Sequence, residues 1–188
     1  MRYSLKWPTY AQQWDAMAIK PGRLHEFESI AHHLVALKDH YVPIERATGV
    51  PWYMIALLHM REASNDFSKG LAQGDRWDRV SHNKPICGPF KSFFDSAVWA
   101  LKHDGLTAIH DYRLEKQIYY HEIFNGLGYE MRNLPSPYIW GGTNQQRAGK
   151  YVKDGVFSRT EWDSQPGVAP IMKMMAEIDP TIQLKRED

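Results

Sequence analysis

With 188 residues, 43% of them hydrophobic and 24% charged, the chain has an ordinary globular composition and enough material to bury a sizeable core. Lys and Arg together number 23 and Asp and Glu 22, a net charge of +1, so neither nucleic acid nor an anionic membrane is called for as a partner. Cys87 is the single cysteine, which rules out an intramolecular disulfide, and no run of roughly 18 apolar residues offers a membrane span.

In chain order, residues 1–9 read as an irregular lead-in without the apolar segment of a secretory signal. Ala11 to Ile19 reads as a short helix stopped by Pro21 and Gly22. From Leu24 to Thr48 the apolar positions Phe27, Ile30, Leu34, Leu37 and Tyr41 recur at alternating three and four. That seam belongs to a longer helix, with a bend or break expected at Pro43. His32, His33, His40 and His59 match no zinc spacing, and with one cysteine no metal site and no cofactor is expected.

The run from Val50 to Ser64 predicts one apolar helix beginning near Pro51 and carrying a carboxylate at its end. Ile55, Leu58 and Glu62 stand at i, i+3 and i+7 and so share a face. An inward-facing carboxylate resists ionising, and an acid that keeps its proton near neutral pH can serve as a general acid. The competing reading has Glu62 pairing with Arg61 or another cation and only securing the helix end.

Ser64 to Pro89 follows as a long polar stretch with room for a short hairpin, its apolar residues (Phe67, Leu71, Trp77, Val80 and Ile86) arguing for order. Asp75 and Asp78 lie in it as candidates for a second carboxylate, and Asp66 reads as a local partner at the helix end. Phe90 to Lys102 returns to helix, with Phe94, Ala97, Val98 and Leu101 inward and Gly105 at its end. Asp111 to Phe124 is the next, capped by Asp111, and runs into the turn Asn125 to Tyr129. Ser136 to Asn144 reads as a shaped aromatic loop, Gln145 to Val152 as helical, and Gln165 to Ile178 as a last helix before a charged tail. Without a repeat or a linker, residues 1–188 read as a single, mainly α domain with one possible small β-hairpin after Glu62.

Other chemistries lack their residues. There is no G-x-S-x-G elbow, no P-loop and no dinucleotide fingerprint. Seven Trp and ten Tyr, many of them in the less regular second half, suit stacking on sugars or bases as well as burial.

Arg61-Glu62-Ala63-Ser64 with Phe67 resembles the R-E-S-x-F region of lytic transglycosylases and goose-type lysozymes. Phe124-Asn125-Gly126-Leu127-Gly128-Tyr129 resembles their Y-N-x-G-x-G turn. With Ser136-Pro137-Tyr138-Ile139-Trp140-Gly141-Gly142-Thr143-Asn144, the run from Pro51 to Lys150 is most similar to lysozyme-family proteins of phages and bacteria. Ala63 and Phe124 depart from the usual Ser and Tyr. Leu71-Ala72-Gln73-Gly74-Asp75-Arg76 stands where transglycosylases carry G-L-M-Q.

The resemblance implies a lysozyme-like helical fold and a muramidase that cleaves the β-1,4 bond between N-acetylmuramic acid and N-acetylglucosamine. Glu62 would be the acid, with Asp75, or failing it Asp78, as second carboxylate. Asn125, Tyr129, Tyr138, Trp140, Thr143 and Asn144 would line the sugar subsites. The implied partner is the peptidoglycan glycan strand, engaged by a monomer with no nucleic acid and no stable membrane insertion. The implied setting is that of a phage endolysin, made in the cytoplasm and released to the cell wall through a holin-type pore. The rivals are a lytic transglycosylase using Glu62 alone, a chitinase-like hydrolase, and a glycan-binding module that has no activity.

Overall fold

The computed structural model describes residues 6–153 and 155–186, and among these the fold is mainly α-helical with one small antiparallel hairpin. Among the described residues no helix is long and apolar enough to cross a membrane. The chain divides into two compact units where the sequence reads as one domain. Unit 1 comprises residues 1–32 and 113–188, and unit 2 residues 33–112. One boundary falls inside a helix, so no Gly- or Pro-rich linker marks it.

In unit 1, helix α1 (Trp7–Asp15) starts four residues earlier than the sequence predicts, because Pro8 fits the first turn of a helix. It buries Tyr10 and Trp14 and packs on α6 (Leu114–Asn125), which in turn meets α7 (Pro137–Trp140). Asp111 does not cap α6. The N-cap is Arg113, without a side-chain bond. Helix α8 (Val168–Ile178) packs on α7 and buries Val168, Ala169, Ile171, Met172 and Met175.

The hairpin lies in unit 1, not after Glu62. It is built from β1 (Lys150–Lys153) and β2 (Val156–Ser158), with Tyr151 opposite Phe157. This corrects the helix expected over 145–152. Tyr, Val and Phe favour a pleated surface, and an Asp-Gly pair between such runs is a hairpin signal. Gly128 lies under this hairpin. A β-carbon there would come within 2.6 Å of the Tyr151 hydroxyl.

The predicted long helix is two. Helix α2 (Leu24–Ala36) buries Phe27, Ala31 and Leu34, and α3 (Lys38–Thr48) follows after a break at Leu37. Pro43 sits inside α3, with the break more than a turn upstream. The carbonyl four residues before Pro43 is that of Asp39, in the first turn of α3, so the proline costs one bond near the helix start and the helix runs on past it.

In unit 2, α3 packs against α4 (Trp52–Ala63) and α5 (Phe93–His103). Every residue of α4 from Trp52 to His59 is buried, so this stretch of the helix has no solvent face and forms the unit's core. Ser92 caps α5, its hydroxyl accepting from the Asp95 amide at 3.1 Å. The helix therefore starts three residues later than predicted. Phe93 turns inward in place of Phe94, which is 39% exposed.

Candidate active site

Glu62 occupies the last turn of α4, half-buried, just where that buried helix comes to the surface. The helix stops because Ser64 and Asn65 both take the left-handed conformation, at φ 53° and 57°. Such backbone is unfavourable for side chains with a β-carbon, and something must hold it.

The holder is His59. Its Nε2 lies 3.2 Å from the Asp66 carbonyl, which can only accept, so Nε2 carries the proton. Nδ1 then accepts from the Tyr41 hydroxyl at 2.9 Å, and that hydroxyl's oxygen accepts from Asn65 Nδ2, also at 2.9 Å. The same Asn65 amide donates to the Ala56 carbonyl at 3.0 Å. Phe67 and Phe93 close on the imidazole with ring centroids 5.1 and 4.5 Å away. Burial holds the His59 imidazole down at about 4 and pushes the Tyr41 phenol up, so both stay neutral. The backbone leaving Glu62 is thus riveted to α4 and α3 by uncharged hydrogen bonds.

The polar stretch after Glu62 contains a single isolated bridge, Lys69 to Arg76, in place of a hairpin, and is ordered by side chains. Asp66 accepts from the Ser68 amide at 2.9 Å and hydroxyl at 2.7 Å, the local role expected of it. Trp77 Nε1 donates to the Phe67 carbonyl at 2.7 Å. Asp75 accepts three bonds, from the amides of His82 and Asn83 at 2.8 Å each and from Asn83 Nδ2 at 3.1 Å. These donors, the Asn83 amide foremost, hold its carboxyl below the usual aspartate range. Asp78 is exposed and paired in a fork with Arg76, with Arg79 at 3.5 Å, and the Arg76 hydrogen bonds hold it ionised as well.

Gly74 brings Asp75 to the helix end. It has φ +70°, and a β-carbon on it would run into the backbone carbonyl oxygen of Glu62. The two candidate carboxylates thus belong to backbone segments in direct contact. Asp75 keeps its full negative charge because its partners are neutral, whereas the charge of Asp78 is answered by guanidinium.

The six candidate sugar contacts belong to unit 1. Asn125 is exposed at the end of α6. Tyr129 is 7% exposed, edge-on to Tyr151 with centroids 5.4 Å apart. Tyr138 and Trp140 are buried in α7. Thr143 is buried and donates its hydroxyl to the Trp140 carbonyl at 2.7 Å. Asn144 is exposed, and its side chain accepts from the Ala18 amide and donates to the Ala16 carbonyl, both at 2.9 Å. The aromatic loop is therefore a packed element braced against the segment after α1. Asn125 is the member whose side chain is left to solvent.

His59, Tyr41 and Asn65 were not singled out by sequence as site residues. The available signal was a polar residue on the buried face of an apolar helix, since His59 stands four after Ile55 and seven after Trp52. Among the described residues no three His, Cys, Asp or Glu side chains converge as a metal site. No protein-family model, no curated protein and no solved structure matches this chain.

Proposed function

We propose that the chain is a peptidoglycan-cleaving glycosidase, a muramidase, with Glu62 as general acid and Asp75 as the second carboxylate. The observation that carries this reading is the placement of Glu62, half-buried at the end of a core helix, with Gly74 packing the Asp75 loop against its backbone. Glu62 would protonate the departing glycosidic oxygen. Asp75, held ionised, would stabilise the positive charge that develops on the sugar or direct the attacking water. Asp78, whose charge is answered by Arg76, is the poorer electrostatic partner. The implied substrate is the glycan strand of the bacterial cell wall. Loss of a positioned acid costs about 10²–10⁴-fold in rate. Glu62→Gln, which keeps the shape and removes the proton, is expected to abolish lysis of purified cell walls while melting like the wild type. Lysis at the wild-type rate by that variant would end the proposal.

One observation favours a second reading, the lytic transglycosylase in which Glu62 acts alone as acid and then base. Both carboxylate oxygens of Asp75 are already engaged by its own loop. Mass spectrometry of the released muropeptides separates the two, since hydrolysis adds a water and transglycosylation leaves a 1,6-anhydro end. Asp75→Asn would silence the hydrolase and spare the transglycosylase.

A further inference from the structure

A pocket of about 390 Å³ opens on the surface of unit 1, beside the helical turn Glu130–Arg132 and the β1–β2 hairpin. It is lined by Met131, Leu134, Ala148 and Phe157 and by two guanidinium groups, Arg132 and Arg159, with no carboxylate among them. Both arginines are exposed, so their donors can meet a ligand. Arg132 is held in place. Its guanidinium lies over the Phe157 ring, 4.1 Å from the centroid, and its Nε donates to the Tyr151 hydroxyl at 3.2 Å. Phe157 is itself fixed, edge-on to Tyr151 and Tyr129 with centroids 5.1 and 6.1 Å away. It rests against Gly149, where a β-carbon would come within 2.7 Å of the ring. The terminal N–H groups of Arg132 have no partner among the described residues, and Arg159 has no hydrogen bond or ion pair there at all.

Elsewhere in the fold Arg23, Arg76 and Arg186 each pair with a carboxylate. Here two guanidinium groups line one pocket unanswered and repel each other, which a bound anion would relieve. A guanidinium stacked by its face keeps its edge free, and that planar fork matches the oxygens of a carboxylate or phosphate. Stacking also sets its orientation beforehand, so less freedom is lost on binding. Cations are excluded by the two charges. Met131, 86% exposed, and Leu134 add apolar wall beside the donors. A volume at the low end for ligand pockets suits a small molecule or a chain end.

We propose that this pocket binds an organic anion, a carboxylate or phosphate head on a small apolar body. Arg132 and Arg159 grip the head, and Met131 and Leu134 cover the body. The site does not depend on the cleavage reaction proposed above.

The test is calorimetric titration of the full chain with four probes: acetyl-leucine, isopentyl phosphate, acetyl-leucine amide, which has the same body without the charge, and inorganic phosphate, which has the charge without the body. Binding of acetyl-leucine supports a carboxylate source, such as the end of a peptide, and binding of isopentyl phosphate alone supports a phosphate monoester. The amide is expected not to bind, and inorganic phosphate to bind more weakly than its ester. Arg132→Gln and Arg159→Gln should each weaken the bound anion about tenfold or more, the value of one charge-assisted hydrogen bond. Arg132→Lys, which keeps the charge and gives up the fork, should weaken it too. Arg159→Gln removes no contact within the described fold and is expected to melt like the wild type. No binding of either organic anion, equal binding of the amide, inorganic phosphate binding as tightly as its ester, or unchanged affinity in both glutamine variants would overturn the site. None of the probes has a glycosidic bond, so failure here leaves the cell-wall cleavage reading untouched, and failure there leaves this one.

Discussion

Gly74 is the residue on which the site's geometry turns, because it alone lets the loop bearing Asp75 lie on the backbone carbonyl of Glu62. Gly74→Ala meets two penalties at once, a left-handed φ and a collision with backbone that cannot swing aside. Such strain is worth about 1–3 kcal/mol. The variant is expected to melt lower and to lose cell-wall cleavage beyond what its remaining folded fraction explains. Retention of full specific activity would show that the contact does not position the acid. The half-buried place of Glu62 at a helix end was legible from its spacing with Ile55 and Leu58 along an apolar run. The surroundings of Asp75 and Asp78 were not, because one is held by amides seven and eight residues downstream and the other by a neighbouring guanidinium. Sequence names the candidates, and only folding decides which charge is left without a guanidinium to answer it.

At the scale of elements, α6 shows what periodicity misses. Leu114 and Ile118 were readable as its buried side, but Glu115, Gln117, His121 and Glu122 are buried too, so no clean apolar stripe exists to be read. Two of these residues are explained by partners far away in sequence. Glu122 meets Lys6 and Tyr10, and Glu115 accepts from Arg186 at 2.6 Å. Arg186 also pairs with Asp15 at 2.9 Å, so Arg186→Ala is expected to cost about 2 kcal/mol in chemical denaturation. His121 has no such partner. Both ring nitrogens are buried without a hydrogen bond, and one of them carries a proton. His121→Met fills similar space with no polar atom to satisfy and is expected to stabilise by about 1–2 kcal/mol. A lower melting temperature would mean that the ring has a role its surroundings do not reveal. By contrast, α4 was readable almost to the residue, since proline, an aliphatic run and a polar exit coincide there. The hairpin at 150–158 and the break at Leu37 were not. The first was outweighed by a neighbouring polar run, and the second lies six residues upstream of the proline at which a break was expected.

For the whole molecule, acid is the condition that matters most. Each unit contains one fully buried imidazole, His59 held down at about 4 and His121 at about 3, both by burial. An unfolded histidine takes up its proton near pH 6.5. The unfolded chain thus binds more protons than the folded one as soon as pH falls below that point. Stability is level above about pH 6.5 and declines below it, until each folded imidazole also titrates. The slope is about 1.4 kcal/mol per pH unit for each histidine, amounting to about 3 kcal/mol for His59 and about 5 kcal/mol for His121. Urea denaturation at pH 7.5, 6, 5 and 4 should show this decline, and His121→Met should flatten it. A profile that stays level down to pH 4 would contradict the burial of both rings.

The order in which the polypeptide is made gives the bracing of α6 a temporal meaning. Unit 2 is one uninterrupted stretch, so all of its residues are made before the second piece of unit 1 begins. Unit 1 is assembled from an early piece and a late one. Its central helix is gripped at Glu122 by Lys6 and Tyr10, from the piece that precedes unit 2, and at Glu115 by Arg186, from the piece that follows it. The early segment must therefore wait, its Lys6 and Tyr10 without their acceptor, while the intervening eighty residues of unit 2 are translated. Closure of unit 1 therefore waits on residues made after unit 2, and a nascent chain halted before Arg186 would lack the clasp on Glu115.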